Sequence, residues 1–245
     1  MATRTGSASS YLPAFALGAA LWIFVDAGND ALLFDVNSGF SGGGEQAALV
    51  GLLATGLLAL VAVDHFRSSG SVMTQAGRDP AYLFAALAAA GIGFHALGEG
   101  EAFGSLASST TSNSIIEALG GFGPGISYVV HKFLEGIVIG AVFRAYAIKI
   151  DQGLGNIFGK TMVLGAMASG FTLIGDAVGY YGPINASFFF ALGAGSTIYI
   201  IVRLALPMSR VKEGYGLGIG LVALFVLLGL LSVYFAGLFH SVGVT

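Results

Sequence analysis

The chain has 245 residues, 13 of them acidic and 10 basic, so charged side chains make up 9%, where soluble domains carry roughly a quarter. Apolar residues reach 56% and glycine contributes 39 residues; this composition excludes an ordinary aqueous surface and collagen, disordered or nucleic-acid-binding chains, and fits helices packed closely in lipid. The absence of cysteine excludes disulfide scaffolds, Cys-ligated zinc and iron–sulfur clusters, while the net charge of −3 matters less than how the charges are distributed.

A bilayer core about 30 Å thick needs roughly 20 apolar residues of helix. Seven such stretches are predicted, at Tyr11 to Phe34, Gln46 to Asp64, Pro80 to Gly104, Pro124 to Ala147, Lys160 to Gly182, Ile184 to Leu206 and Gly216 to Phe239. Turn-forming segments separate them, among them Asp35 to Glu45, Arg67 to Ser71, Ser108 to Ser114 and Tyr181-Gly-Pro183. No soluble domain fits between, so residues 1–245 read as a single all-α transmembrane domain. The first stretch is too long for a signal-peptide core and contains Asp26 and Asp30, so it reads as retained.

Basic residues set the expected orientation. Arg4, Arg67, Arg78, Arg144, Lys149, Lys160, Arg203, Arg210 and Lys212 fall on one side in step with seven crossings, which predicts a cytoplasmic N-terminus, an outer C-terminus and residence in the plasma (inner) membrane. Lys132 alone sits inside a span.

Ionisable groups within a span are costly and usually face a cavity or a partner. Two stretches concentrate them: the third reads His95-Ala-Leu-Gly-Glu99-Gly100 and the fourth His131-Lys-Phe-Leu-Glu135-Gly136, each followed by a glycine four residues on, Gly104 and Gly140. A spacing of four puts His and Glu on one helix face. In antiparallel helices rising 1.5 Å per residue, His95, Glu99, His131 and Glu135 should fall within roughly 10 Å of each other along the membrane normal. Two imidazoles with two carboxylates suit Zn²⁺, Fe²⁺ or Mn²⁺ better than Ca²⁺ or Mg²⁺, and a dication lets both carboxylates stay ionised in lipid. One such pair on a soluble helix would be an exposed face. The competing reading of two pairs inside the membrane is a proton relay or a buried structural network. The Gly100/Gly104 and Gly136/Gly140 pairs predict close helix contacts.

Asp176, near the outer end of the fifth stretch, is expected at the level of Glu99 and His131 as a further ligand or an entrance carboxylate. Asp26 and Asp30, one turn apart, either attract cations or reach interfacial water. Glu101 should point away from Glu99. His65 and His240 read as interfacial, and the Asn185-Ala-Ser187 sequon as accidental.

The His95 to Gly100 and His131 to Gly136 signatures resemble those of the ZIP (Zrt/Irt-like) divalent metal transporters. Further resemblance lies in Phe171 to Gly182, around Asp176, and in Ala194-Gly-Ser-Thr-Ile-Tyr199 running to Leu206-Pro207, so it covers the chain from Pro80 onward. It implies a ZIP-like bundle with seven helices, lacking the family's first, and an extracellular C-terminus. It also implies a metal position made by His95, Glu99, His131 and Glu135. At the family's second position this chain has Ala96, Lys132 and Asp176; the ammonium would repel a second dication and pair with Asp176 or Glu135, which implies one metal. The family's helix-bending prolines are replaced by Gly98 and Leu134, and the carboxylate expected before Leu206-Pro207 is replaced by Arg203 and Leu204. The member implied is a divergent one.

The leading functional expectation is uptake of a divalent cation toward the cytoplasm, with Zn²⁺ first and Fe²⁺ or Mn²⁺ as alternatives. The metal is the substrate, no organic cofactor or nucleic-acid partner is implied, no catalysis is expected, and a homodimer is a possible assembly. The alternatives are a membrane metal-dependent hydrolase using zinc-bound water, for which Glu101 is a weak candidate base, and a ZIP-like subunit or metal sensor without flux.

Overall fold

The computed structural model describes residues 8–33, 44–69, 80–109, 122–147, 154–182, 184–209 and 219–241. These residues form an all-α bundle of seven helices: α1 Ala8–Asp30, α2 Gly44–Ser69, α3 Pro80–Ser109, α4 Phe122–Ala147, α5 Leu154–Tyr181, α6 Ser187–Ser209 and α7 Ile219–Ser241. The first six are long and apolar enough to cross a bilayer, whereas α7 carries a shorter apolar stretch, Gly220–Ala236. The predicted elements therefore recur in order. The ends move by a few residues: α1 stops at Asp30, before the predicted Phe34, and the chain turns at Leu32, whose φ is 56°. Of the basic residues that set the expected orientation, Arg4, Arg78, Lys149, Arg210 and Lys212 lie outside the described residues.

Contacts along the helices give their relative directions. Tyr11 stacks on Phe225 and Trp22 on Tyr234, so α1 and α7 run parallel. Asn185 meets Glu45 and Arg203 meets Asp64, so α2 and α6 do likewise. Phe103 meets Tyr128 and Tyr82 meets Phe143, so α3 and α4 are antiparallel.

α3 lies at the centre, with 67% of its apolar window buried against 17% for α2 and 22% for α5. The outward faces of α2, α4, α5 and α7 carry exposed Leu58, Phe66, Val129, Phe133, Met162, Leu173, Leu227 and Phe235, as lipid-facing surfaces do. The interior is built from small and branched residues, including Ala16, Ala19, Ala85, Ala88, Ile92, Val138, Ile139 and Ile200.

Paired glycines hold three of the interfaces. A methyl group added at Gly100 or Gly104 of α3 would strike the carbonyl oxygens of Thr172 or Asp176, and one at Gly175 or Gly179 of α5 those of Leu97 or Glu101. Gly18 with Gly229 does the same for α1 and α7, and Gly56 with Gly195 for α2 and α6. Lipid supplies no hydrophobic drive between helices, so backbone approach through small residues supplies the packing instead. The Gly100/Gly104 expectation is met. The Gly136/Gly140 expectation is not: nothing lies within 4 Å of a methyl at Gly136, and only Thr161 Cγ2, at 3.9 Å, approaches one at Gly140.

Candidate metal centre

α3 and α4 face each other through their His and Glu residues because each pair occupies one stripe of its helix and the helices run in opposite directions. His95, Glu99, His131 and Glu135 are all buried, and one ligand atom from each lies within 4.8 Å of the others. The Nε2 atoms alternate with carboxylate oxygens. His95 Nε2 is 3.4 Å from Glu99 Oε1 and 3.8 Å from Glu135 Oε1, while His131 Nε2 is 3.6 Å from Glu99 Oε1 and 3.2 Å from Glu135 Oε1. Four donors at zinc-ligand bond lengths on a tetrahedron sit about 3.3 Å apart. The group is thus close to the size a first-row dication needs and would contract only slightly to grip one.

α6 supplies the back wall. A methyl on Gly193 would collide with the His95 backbone, so glycine there lets α6 press against α3 at the level of the site. The Phe190 ring lies 5.4 Å from the His95 imidazole, and Gly98 leaves room for that ring. Among the described residues neither ring nitrogen of His95 makes an aligned hydrogen bond, nor does His131 Nδ1. Buried polar nitrogens without partners are uncommon, and here His95 Nε2 lies among the other potential ligand atoms.

Lys132 also enters the site. Its ammonium is ion-paired with Glu99 Oε2, and it donates to Glu135 Oε1 at 3.0 Å and Oε2 at 2.9 Å. It therefore joins the two carboxylates to each other and shares Glu135 Oε1 with His131 Nε2. The sequence-based expectation of pairing with Glu135 is met; the Asp176 alternative is replaced by Glu99. The Tyr128 ring, one turn toward the start of α4, lies 5.5 Å from Nζ.

The remaining predicted residues take other places. Asp176 is exposed on α5 and is outside the four-ligand group. Its backbone, not its side chain, is what packs on Gly100 and Gly104. Asp26 is half-buried and Asp30 exposed at the end of α1, where Asp30 lies near enough to feel the charges of His95, Glu99 and His131. The Glu101 carboxylate accepts a hydrogen bond from the Ile184 backbone N–H. His65 is exposed, and the side chain of His240 lies outside the described residues. Asn185 secures the start of α6, where its Oδ1 accepts from the Ser187 N–H at 3.0 Å while its amide donates to Glu45 at 3.1 Å.

Sequence reasoning missed a second ionic contact. Asp64 of α2, treated as a helix end, is buried and ion-paired with Arg203 of α6, whose guanidinium also lies 4.3 Å from the Phe84 ring and donates to Tyr199 Oη at 3.2 Å. The signal in the sequence was weak, since Arg203 falls only three residues before the predicted end of its span, where a basic side chain also fits as an interfacial residue.

Comparison of the chain with known protein families, with curated proteins and with solved structures finds no match. The geometry is therefore what bears on function: a helical membrane protein with a buried His95, Glu99, His131 and Glu135 group able to hold a metal ion.

Proposed function

We propose that the protein is a divalent transition-metal transporter of ZIP-like type, with seven crossings, that takes a cation from the outer side and moves it toward the cytoplasm. The observation that carries this reading is the convergence of four metal-ligating atoms within 4.8 Å of one another inside a bundle of lipid-length helices. Mixed nitrogen and oxygen donors favour Zn²⁺, Fe²⁺ or Mn²⁺ as substrate over Mg²⁺ or Ca²⁺. The exposed Asp30, beside Asp26 and within electrostatic reach of the cluster, supports ion entry from that end of the bundle. Transport requires binding strong enough to replace water and weak enough to release.

A hydrolase reading has less support, because its one candidate base, Glu101, is engaged with the Ile184 backbone. The reading without flux, a subunit or sensor, is favoured by a specific feature: Lys132 already pairs with both carboxylates of the group.

Purified protein in liposomes separates these readings. Transport predicts ⁶⁵Zn²⁺ or Fe²⁺ entry that falls at least tenfold in His95→Ala and in Glu135→Ala. Stoichiometric metal binding without entry would move the assignment to the sensor or subunit, and hydrolysis of a lipid or amide would move it to an enzyme.

A further inference from the structure

We infer that Lys132 is a tethered competitor for the metal: its ammonium occupies the carboxylates of the ligand group when the cation is absent, is displaced when the cation binds, and returns to drive release. This deepens the transport reading and rests on it.

Charge balance sets the competition. Glu99 and Glu135 bring two negative charges into a buried site, and the structure shows a cationic ammonium bridging them. With neutral imidazoles the group carries one net negative charge. A dication added to that arrangement leaves an uncompensated positive charge in a low-dielectric interior, whereas a dication facing the two carboxylates alone is balanced. Binding is therefore strongest with the ammonium withdrawn from the carboxylates.

The surroundings allow that withdrawal. The Lys132 side chain retains 18% exposure, while those of its partners Glu99 and Glu135 retain 7% and 5%, so of the three it has the readiest way out. The Tyr128 ring already lies 5.5 Å from Nζ, so an ammonium leaving the carboxylates on that side keeps a cation–π partner. Gly136, one turn further along the same face of α4, has open space beside it.

The consequence is kinetic as well as thermodynamic. A competitor attached to the neighbouring backbone acts at an effective concentration in the millimolar range or above, so it never has to diffuse in to eject the ion. Four ligands alone would hold a transition metal tightly; four ligands shared with an ammonium hold it loosely enough to pass on.

The experiment measures ⁶⁵Zn²⁺ binding and release for the full chain in detergent, comparing the wild type with Lys132→Met, Lys132→Gln and the double variant Glu99→Gln/Glu135→Gln. Both lysine variants should bind Zn²⁺ about 10- to 100-fold more tightly, the range that removing one close charge supports, and release it correspondingly more slowly. In liposomes their half-saturating metal concentration and their maximal flux should both fall. Wild-type and lysine-variant affinities within threefold of each other, with Glu99→Gln/Glu135→Gln abolishing binding, would overturn the competitor while leaving the metal site standing. Folded lysine variants and wild type that all fail to bind Zn²⁺ would overturn the metal reading itself. A second measurement needs no variant. Amine labelling of Lys132 in the wild type, read by mass spectrometry, should rise when Zn²⁺ saturates the site; unchanged or reduced labelling counts against displacement.

Discussion

In the buried group His95 and His131 bring Nε2 against the Oε1 atoms of Glu99 and Glu135, while Lys132 contacts Oε2 of Glu99 and both oxygens of Glu135. At the proposed metal site Glu99 would offer Oε1 to the metal while Oε2 pairs with the ammonium, a division that a glutamine cannot reproduce, because its amide NH₂ would face one of the two cations. Glu99→Gln is accordingly expected to lower metal affinity by at least tenfold without unfolding the protein, measured by isothermal titration beside a thermal melt. The second ion pair makes a prediction of stability instead of binding. Removing one partner of a buried pair costs roughly 3 kcal/mol because the other charge is left alone. Asp64→Asn should therefore lower the melting temperature, and Asp64→Asn combined with Arg203→Met should recover part of the loss; an unchanged melt in the single variant would show that Arg203 is satisfied without Asp64.

The helices carry two kinds of glycine. Gly100, Gly104, Gly175 and Gly179 lie where α3 and α5 touch backbone to backbone, and Gly136 lies where α4 faces open space. The sequence pattern around Gly100 and Gly136 is the same, His-x-x-x-Glu-Gly-x-x-x-Gly, yet the expected responses differ. Gly100→Ala forces a methyl into the Thr172 carbonyl and should destabilise by about 2 kcal/mol or more. Gly136→Ala meets nothing and should be neutral, or stabilise by about 0.5–1 kcal/mol through helix propensity. Thermal unfolding in detergent checks both. Equal destabilisation by the two substitutions would contradict the open space beside Gly136.

Across the whole bundle, the direction of the proposed transport depends on which end faces out. The distribution of basic residues predicts an outer end carrying the C-terminus of α1 and the start of α2. Because the chain lacks cysteine, single introduced thiols report topology directly. In intact cells Ser112→Cys, between α3 and α4, should react with a membrane-impermeant maleimide, and Gln152→Cys, between α4 and α5, should react only after lysis; the reverse pattern would invert the proposed direction of flux.

The helical membrane class, the order of the elements and the four residues that gather in the buried group were legible in the sequence, because lipid forces backbone hydrogen bonds inside each helix and makes every unneeded charge expensive. His95, Glu99, His131 and Glu135 stand out in a chain with so few charges, and a spacing of four fixes a shared face whatever the helix packs against. Partner choice was different. That Lys132 reaches across to Glu99, that Asp64 meets Arg203, that Asp176 faces outward, and that only one of two identical glycine patterns brings backbones together all depend on the rotation of each helix about its axis and on which helix lies beside it. Those are long-range choices made by the packing of the whole bundle at once, and no local spacing along one helix contains them.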